Sequence, residues 1–374
     1  MDFLGNRRAN LLKAIKSSGA DAILVTHEPN VRYLSGFTGG SSYVLISTKQ
    51  TTLISDDRFA EQLKADFPTL EAHVRPHHKT TPEAAAELIV KAGYKTVALE
   101  GEHVALNQLE YFKTECPKAT FVPIGNEIER LRAIKDASEV EQIRVAVRAA
   151  ERAFAMFKAT VRAEDTEKEM ADNIEKYVRR AGALGTPFPV IVAVGDRGAL
   201  PHAVPGSRIL GDATKVLVDF GADCGYQCDL TRTLKSPFPV PPNRKNKFER
   251  TGHSFEELHA VVLAAQEAAA ATLRAGVPAK DVDAAARKVI HKADYGDYFN
   301  HGLGHGLGIQ CHELPRVRQN SDDVLEAGMV ITLEPGIYIP GWGGVRIEDD
   351  FLVTREGCLP LTTLSKDVSA LCTN

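Results

Sequence analysis

The stretch VLVDFGA (216–222) leads through a short turn into GYQCDLTRT (225–233). Val216, Val218 and Phe220 alternate with Leu217 and Asp219, the period of a strand with one buried face. The turn at ADCG returns the chain into a second strand, on which Asp229, Thr231 and Thr233 share a face. Such a hairpin predicts that Asp219 and Asp229 approach each other across neighbouring strands. Two close carboxylates repel and take up a proton unless a cation sits between them.

The pattern recurs. VITLEPG (330–336) matches VLVDFG, so Glu334 corresponds to Asp219, and Glu348 in VRIEDDF (345–351) corresponds to Asp229. Upstream of each, TVRAEDTEKEMADNIEKYV (160–178) resembles TLRAGVPAKDVDAAARKVI (272–290) at an offset of 112 residues. The expected architecture is an α/β domain of two related halves, each giving one carboxylate from each of two strands. On an expected strand Val345–Asp350, Arg346 shares a face with Glu348. It is placed to orient that carboxylate or to bind an anionic part of a substrate.

NHGLGHGLGIQCH (300–312) adds His301, His305 and His312 on backbone that lacks Cβ atoms and so can approach a ligand closely. Leu307 occupies the third glycine position of a dinucleotide fingerprint, and no Lys-Ser/Thr pair follows as a phosphate loop requires. His312-Glu313 is followed by Leu314 and Pro315, which excludes a zincin helix. The remaining reading is a metal site. Asp219, Asp229, Glu334 and Glu348 supply a charge of −4, which two divalent cations would cancel, and His305 adds a nitrogen donor. That donor set suits Mn²⁺, Co²⁺, Fe²⁺ or Zn²⁺. A pair of such ions can hold a hydroxide and attack an amide or ester. His202, in GDRGALPHAVPG (195–206), reads equally as a surface histidine or a site residue.

Composition bounds the rest. A chain of 374 residues points to two domains, and 44% hydrophobic with 25% charged residues suits a globular protein with a sizeable core. The formal charge of −4 and the absence of a Lys/Arg block argue against a nucleic-acid partner. Arg244–Lys247 is the nearest candidate, and it is short. Lys13 and Lys16 interrupt the first apolar stretch, predicting an amphipathic helix rather than an export signal. Val261–Leu273 carries Gln266 and Glu267, so no membrane span is expected. Six cysteines without paired zinc-knuckle spacing fit a reduced, cytoplasmic setting.

Residues 1–130 predict a separate α/β domain. Its expected strands are Ala22–Val25, Tyr43–Ile46, Thr52–Ile54, Val97–Leu99 and Phe121–Ile124. Its expected helices are Asp57–Ala65, Pro82–Ala92 and Leu106–Thr114. His73, His77 and His78 read as solvated surface. After a boundary near 125–136, Ser138 and Glu141 form a capping-box pattern that predicts the start of a helix. Val140, Ile143, Val147, Ala150, Phe154 and Phe157 then mark its buried face.

FPVIVAVG (188–195) with PHAVP (201–205), the Asp219–Asp229 hairpin, HGLGHGLG with HELPR (312–316), TLEPGIYIP (332–340) and GVRIEDD (344–350) resemble the pita-bread metallopeptidases. That family includes aminopeptidase P, prolidase, methionine aminopeptidase and the metal-free creatinase. NVRYLSGFTGG (30–40) and LISDDRFAEQ (53–62) resemble the extra N-terminal domain of aminopeptidase P, prolidase and creatinase.

The resemblance implies a pita-bread domain over 137–374 with an internal pseudo-twofold repeat, behind a creatinase-like N-terminal domain. It implies that Asp219, Asp229, His305, Glu334 and Glu348 hold two metal ions, Mn²⁺ first, with Co²⁺ or Zn²⁺ as alternatives. Asp229 and Glu348 would bridge the ions, and a bridging hydroxide would attack the substrate. Catalytic roles fall to His202, His312 and Glu334, and substrate contacts to His202, His301, His312 and Arg346. The implied activity is cleavage before proline by a cytoplasmic homodimer. Aminopeptidase P is the expected type, with prolidase as the alternative. A non-catalytic binding protein is disfavoured because all five ligand positions are filled. The turn between the two aspartates is one residue shorter than in the family, and residues 237–254 are longer.

Overall fold

The computed structural model describes residues 2–242 and 252–368. The basic run 244–247 and half of the 237–254 segment lie outside the described residues. Contacts divide the chain into two compact units, residues 1–132 and 133–374.

The first unit carries strands β1 (Ala22–Val25), β2 (Tyr43–Ser47), β3 (Thr51–Asp56), β4 (Glu71–Arg75), β5 (Thr96–Glu100) and β6 (Thr120–Ile124). Its helices are α1 (Phe3–Ala14), α2 (Glu28–Ser35), α3 (Ala60–Asp66), α4 (Thr81–Ala92) and α5 (Leu106–Glu115), with α6 (Glu127–Ala133) at its end. The sheet order is β4-β3-β2-β1-β5-β6. β1 is the apolar run AILV, buried along its whole length as a central strand must be. Three elements go beyond the sequence expectation, one being α6, in the stretch read as a boundary. β4, EAHVR, is a largely exposed edge strand with no apolar run to betray it. α2 spans eight residues, too few for a helical period to register, and ends at Gly36 with φ 77°.

The second unit begins with α7 (Ala137–Thr160) and α8 (Glu167–Arg180), followed by β7 (Ile191–Val194), β8 (Lys215–Asp223) and β9 (Gln227–Lys235). Then come α9 (Phe255–Thr272), α10 (Ala279–Lys292), β10 (Gly304–Gly306), β11 (Glu313–Val317) and β12 (Val330–Leu333). β13 (Gly336–Ile339), β14 (Gly343–Arg346), β15 (Asp349–Val353) and β16 (Cys358–Pro360) complete it. The cap of α7 differs from the sequence expectation. Asp136 takes that role: its carboxylate accepts the Ser138 and Glu139 amides, and Glu139 returns the bond to the Asp136 amide. Asp caps as well as Ser and stands first in the chain, so the helix starts before Ser138 can cap it. Glu141 pairs with Arg148 instead.

The repeat is visible in the backbone. α7 and α9 end at Thr160 and Thr272, and α8 and α10 run over 167–180 and 279–292, all at the offset of 112 seen in the sequence. β7-β8-β9 form one antiparallel sheet, and β10-β12-β15 lie in the same order within the other. The two copies meet where the Glu348 amide, between β14 and β15, donates to the Thr231 carbonyl oxygen of β9 at 3.1 Å. Phe154 of α7 stacks on Phe220 of β8, with ring centroids 5.5 Å apart, so Phe220 faces helix and Asp219 faces the opposite side. In the second copy Leu258, Val262, Ala265 and Ala269 of α9 join Ile331, Leu333, Val345 and Phe351 in one core. Each fully buried aliphatic side chain of that size stabilises the fold by about 1.5–3 kcal/mol.

The expected strand Val345–Asp350 is broken. β14 pairs with β13, whereas β15 pairs with β12, and the chain changes partner at Ile347–Glu348. Pro335 makes the matching break after Glu334. Both glutamates therefore stand at strand ends, where a side chain can turn into a cavity. Gln266, buried on the core face of α9, fastens these breaks by donating to the carbonyls of Leu333 and Ile347.

Candidate metal centre

β8 and β9 pair Asp219 with Thr231 and Gly221 with Asp229, so the two aspartates are diagonal neighbours on one face. β10 sits between β11 and β12. A Cβ at Gly304 would collide with the Thr332 carbonyl oxygen, and one at Gly306 with that of Leu314. Glycine on either side of His305 is what lets both neighbouring strands close around it.

All nine residues singled out in the sequence line one pocket of about 700 Å³. Asp219, Asp229, His305 and Glu348 are at most 8% exposed, and they form its floor with Glu334. His202 and His312 stand exposed at the pocket, and His301 is half-buried. Metal-ligating atoms of Asp229, His305 and Glu348 lie within 4.8 Å of one another.

Three observations test whether these groups fit metal ions. His305 Nδ1 is 3.1 Å from the Gly306 carbonyl oxygen, which assigns the ring proton to Nδ1 and leaves a lone pair on Nε2. Nε2 is 3.7 Å from Glu334 Oε1 and 3.8 Å from Asp229 Oδ2, too far for hydrogen bonds. Burial, reinforced by His312, pushes the His305 pKa down to about 3, so the ring is neutral and an acceptor faces acceptors. Buried Oδ1 atoms of Asp219 and Asp229 have no hydrogen-bond partner. Burial and mutual repulsion push the carboxyls of Asp229, Glu334 and Glu348 well up. Each of these costs is removed by cations, so the donor set fits them.

Hydrogen bonds orient the acids. The Thr231 hydroxyl donates to Glu348 Oε2 at 2.7 Å and accepts from Arg346 Nε at 3.0 Å. Arg346 Nη2 donates to Asp219 Oδ2 at 2.5 Å, and Nη1 donates to the Tyr338 hydroxyl and the Pro201 carbonyl oxygen. Arg346 thus holds Asp219 directly and reaches Glu348 only through Thr231. Four of its five N–H groups are engaged within the protein. His301 Nε2 lies 2.8 Å from the same Tyr338 hydroxyl, and burial with Arg346 nearby pushes its pKa down to about 4. His202 rides on the segment that follows β7. Buried Glu167 anchors that segment by accepting from the Val194 and Gly206 amides and from Arg197.

Sequence reasoning missed several neighbours. Tyr338 lies inside the quoted TLEPGIYIP, four residues after Glu334, and Cys311 immediately precedes His312. Cys311 Sγ is 3.2 Å from Asp229 Oδ2, and burial beside Asp229 pushes its thiol up, so it carries its proton. Arg316 and Arg318 alternate with Val317 at the end of β11. Both are exposed, both line the pocket, and neither guanidinium pairs with a carboxylate among the described residues, although the Arg316 backbone amide donates to Asp323.

A cation that binds only the folded chain stabilises it by mass action, about 2.7 kcal/mol at a hundred times its Kd. Mn²⁺ added to metal-free protein should therefore raise the thermal midpoint, and Na⁺ at equal ionic strength should not; equal effects would remove the centre.

Residues 141–355 match metallopeptidase family M24, and residues 7–134 match the creatinase/prolidase N-terminal domain. An Xaa-Pro dipeptidase from Pyrococcus horikoshii is 32% identical over 98% of this chain and 100% of its own length. Among solved structures, an Xaa-Pro dipeptidase from Bacillus anthracis gives a TM-score of 0.88 at 34% identity, covering 98% of this chain and 99% of that one. An X-Pro aminopeptidase from Thermotoga maritima gives 0.84 at 33% identity, covering 95% and 99%. No helix among the described residues is long and apolar enough to cross a membrane.

Proposed function

The chain belongs to metallopeptidase family M24, with a pita-bread domain behind a creatinase/prolidase N-terminal domain, and on that footing we propose that it is an Xaa-Pro dipeptidase. The expected aminopeptidase P gives way to its alternative. The Pyrococcus and Bacillus relatives carry the dipeptidase description, while the Thermotoga one is described as an aminopeptidase. The observation that carries the choice is the pair Arg316 and Arg318, whose guanidinium groups pair with no carboxylate among the described residues, at a pocket whose floor is acidic. A dipeptide presents its free carboxylate within reach of the cleavage site, and a guanidinium is the group that grips a carboxylate with two parallel bonds. Arg346, engaged with Asp219 and Tyr338, is less free for that task.

Asp219, Asp229, His305, Glu334 and Glu348 would hold two divalent ions, Mn²⁺ the expected occupant. When bound, such ions polarise a carbonyl and make water a nucleophile near neutral pH. The rest falls to the chain. Glu334 takes a proton from the attacking water and hands it to the proline nitrogen. That transfer is needed because an X–Pro bond is a tertiary amide, whose nitrogen leaves only once protonated. His202 and His312 donate to the carbonyl oxygen as negative charge develops there. His301 and Arg346 hold the Tyr338 hydroxyl in place between them. Homodimerisation belongs to the same proposal and is tested by sedimentation of the purified protein.

Side-by-side assays of Xaa-Pro and Xaa-Pro-Xaa peptides, run with Mn²⁺, Co²⁺ and Zn²⁺, should favour the dipeptide. Arg316→Ala should raise its KM roughly 10- to 100-fold, the ~1.5–3 kcal/mol of a hydrogen bond to a charged group. Blocking the dipeptide as its amide should cost wild type as much and the variant little. Equal turnover of the tripeptide, with no effect of Arg316→Ala, would return the assignment to aminopeptidase P.

A further inference from the structure

Asp229 is 5% exposed and lines the pocket with other acids, Asp219, Glu334 and Glu348. None of these offers it a proton once ionised. Its Oδ1 has no hydrogen-bond partner, and its Oδ2 has one side-chain donor among the described residues, the Cys311 thiol at 3.2 Å. Cys311 is itself 6% exposed, held between the buried end of the glycine-rich stretch and β11.

We propose that Cys311 is a positioning residue for the metal pair: its S–H donates to Asp229 Oδ2, fixes the rotation of that carboxylate and leaves Oδ1 free for a cation. The inference rests on the dinuclear reading above. A carboxylate has about four lone-pair sites, so accepting one hydrogen bond does not prevent it from binding metal. The choice of donor matters. A lysine or arginine here would neutralise Asp229 and repel an incoming cation. A valine would fill the space but leave the carboxylate free to turn. The thiol is a weak donor that orients the oxygen without cancelling its charge.

The test is titration of metal-free protein with Co²⁺, followed by calorimetry and by the visible absorption of the bound ion. Cys311→Val should weaken Co²⁺ binding about 10- to 100-fold, the range for groups that orient metal ligands. It should also alter the Co²⁺ spectrum. Cys311→Ser, which restores an O–H donor, should return affinity and spectrum towards wild type. Cys311→Ala, which cannot overpack the site, should lose as much as valine, and this guards against a misfolded valine variant. Wild-type affinity and spectrum in Cys311→Val and Cys311→Ala would overturn the proposal. So would an equal loss in Cys311→Ser, since the thiol would then act by packing alone. Failure of the wild type to take up Co²⁺ would remove the dinuclear reading as well. Normal Co²⁺ behaviour without dipeptide hydrolysis would sink only the substrate assignment.

Discussion

Glu348→Gln should leave a folded protein that retains no stoichiometric metal and has lost at least about 10²–10³-fold in kcat, the scale of removing one well-aimed electrostatic group. The substitution keeps the size of the side chain and its place beside Thr231, whose hydroxyl is 2.7 Å from Oε2. It removes one of four negative charges and replaces an oxygen able to donate a lone pair to a cation with an NH₂ that cannot. Glu348 is 2% exposed, so no water compensates for the lost donor. Metal content after dialysis and turnover of Xaa-Pro peptides are the two readouts. Full occupancy with full activity would remove Glu348 from the centre and the two-ion reading with it.

Arg232→Ala should destabilise the metal-free protein by about 3–5 kcal/mol, the cost of stranding a buried charge. Arg232 is 1% exposed and pairs with Asp349, also 1% exposed, at 2.7 Å. Its other N–H groups donate to the carbonyls of Thr231, Glu348, Leu364 and Ser365. Burial pushes the Asp349 carboxyl up, but Arg232, Lys366 and the bond from Thr362 outweigh it and hold the pKa below its ordinary value. Without Arg232 that ionised group keeps only its weaker partners. Chemical denaturation measures the loss. The double variant Arg232→Met with Asp349→Leu should recover much of it, because replacing both charges leaves none stranded. A double variant no better than Arg232→Ala would assign the effect to the lost backbone contacts around Glu348.

The acids were legible because a strand alternates its side chains. Once Val216, Val218 and Phe220 pointed to the core, Asp219 had to point away from it, and the match of VITLEPG to VLVDFG within the repeat carried the argument to Glu334 and Glu348. His305 was legible through its glycines, which mark close approach of backbone on both sides. Other features depend on contacts between distant segments and left no local trace. Tyr338 sat inside a quoted motif, but its bond to Arg346 arises only when β13 and β14 pair. Arg316 entered the sequence reading only as the last residue of the HELPR motif. Whether it faces the pocket is decided by the pairing of β11 with β10. The break at Ile347–Glu348 was hidden because VRIEDDF has the composition of one strand, and only the exchange of partners from β13 to β12 divides it.

The hydrogen bond from the Glu348 amide to the Thr231 carbonyl joins the two halves of the internal repeat. Each carries two of the four acids, so a fragment severed between them would be inert however well it folded. Mutual dependence of this kind limits how far either can diverge. A substitution that tilts one copy is harmless to that copy alone, yet it spoils the pocket both copies line, and its repair can come from the other side of the seam.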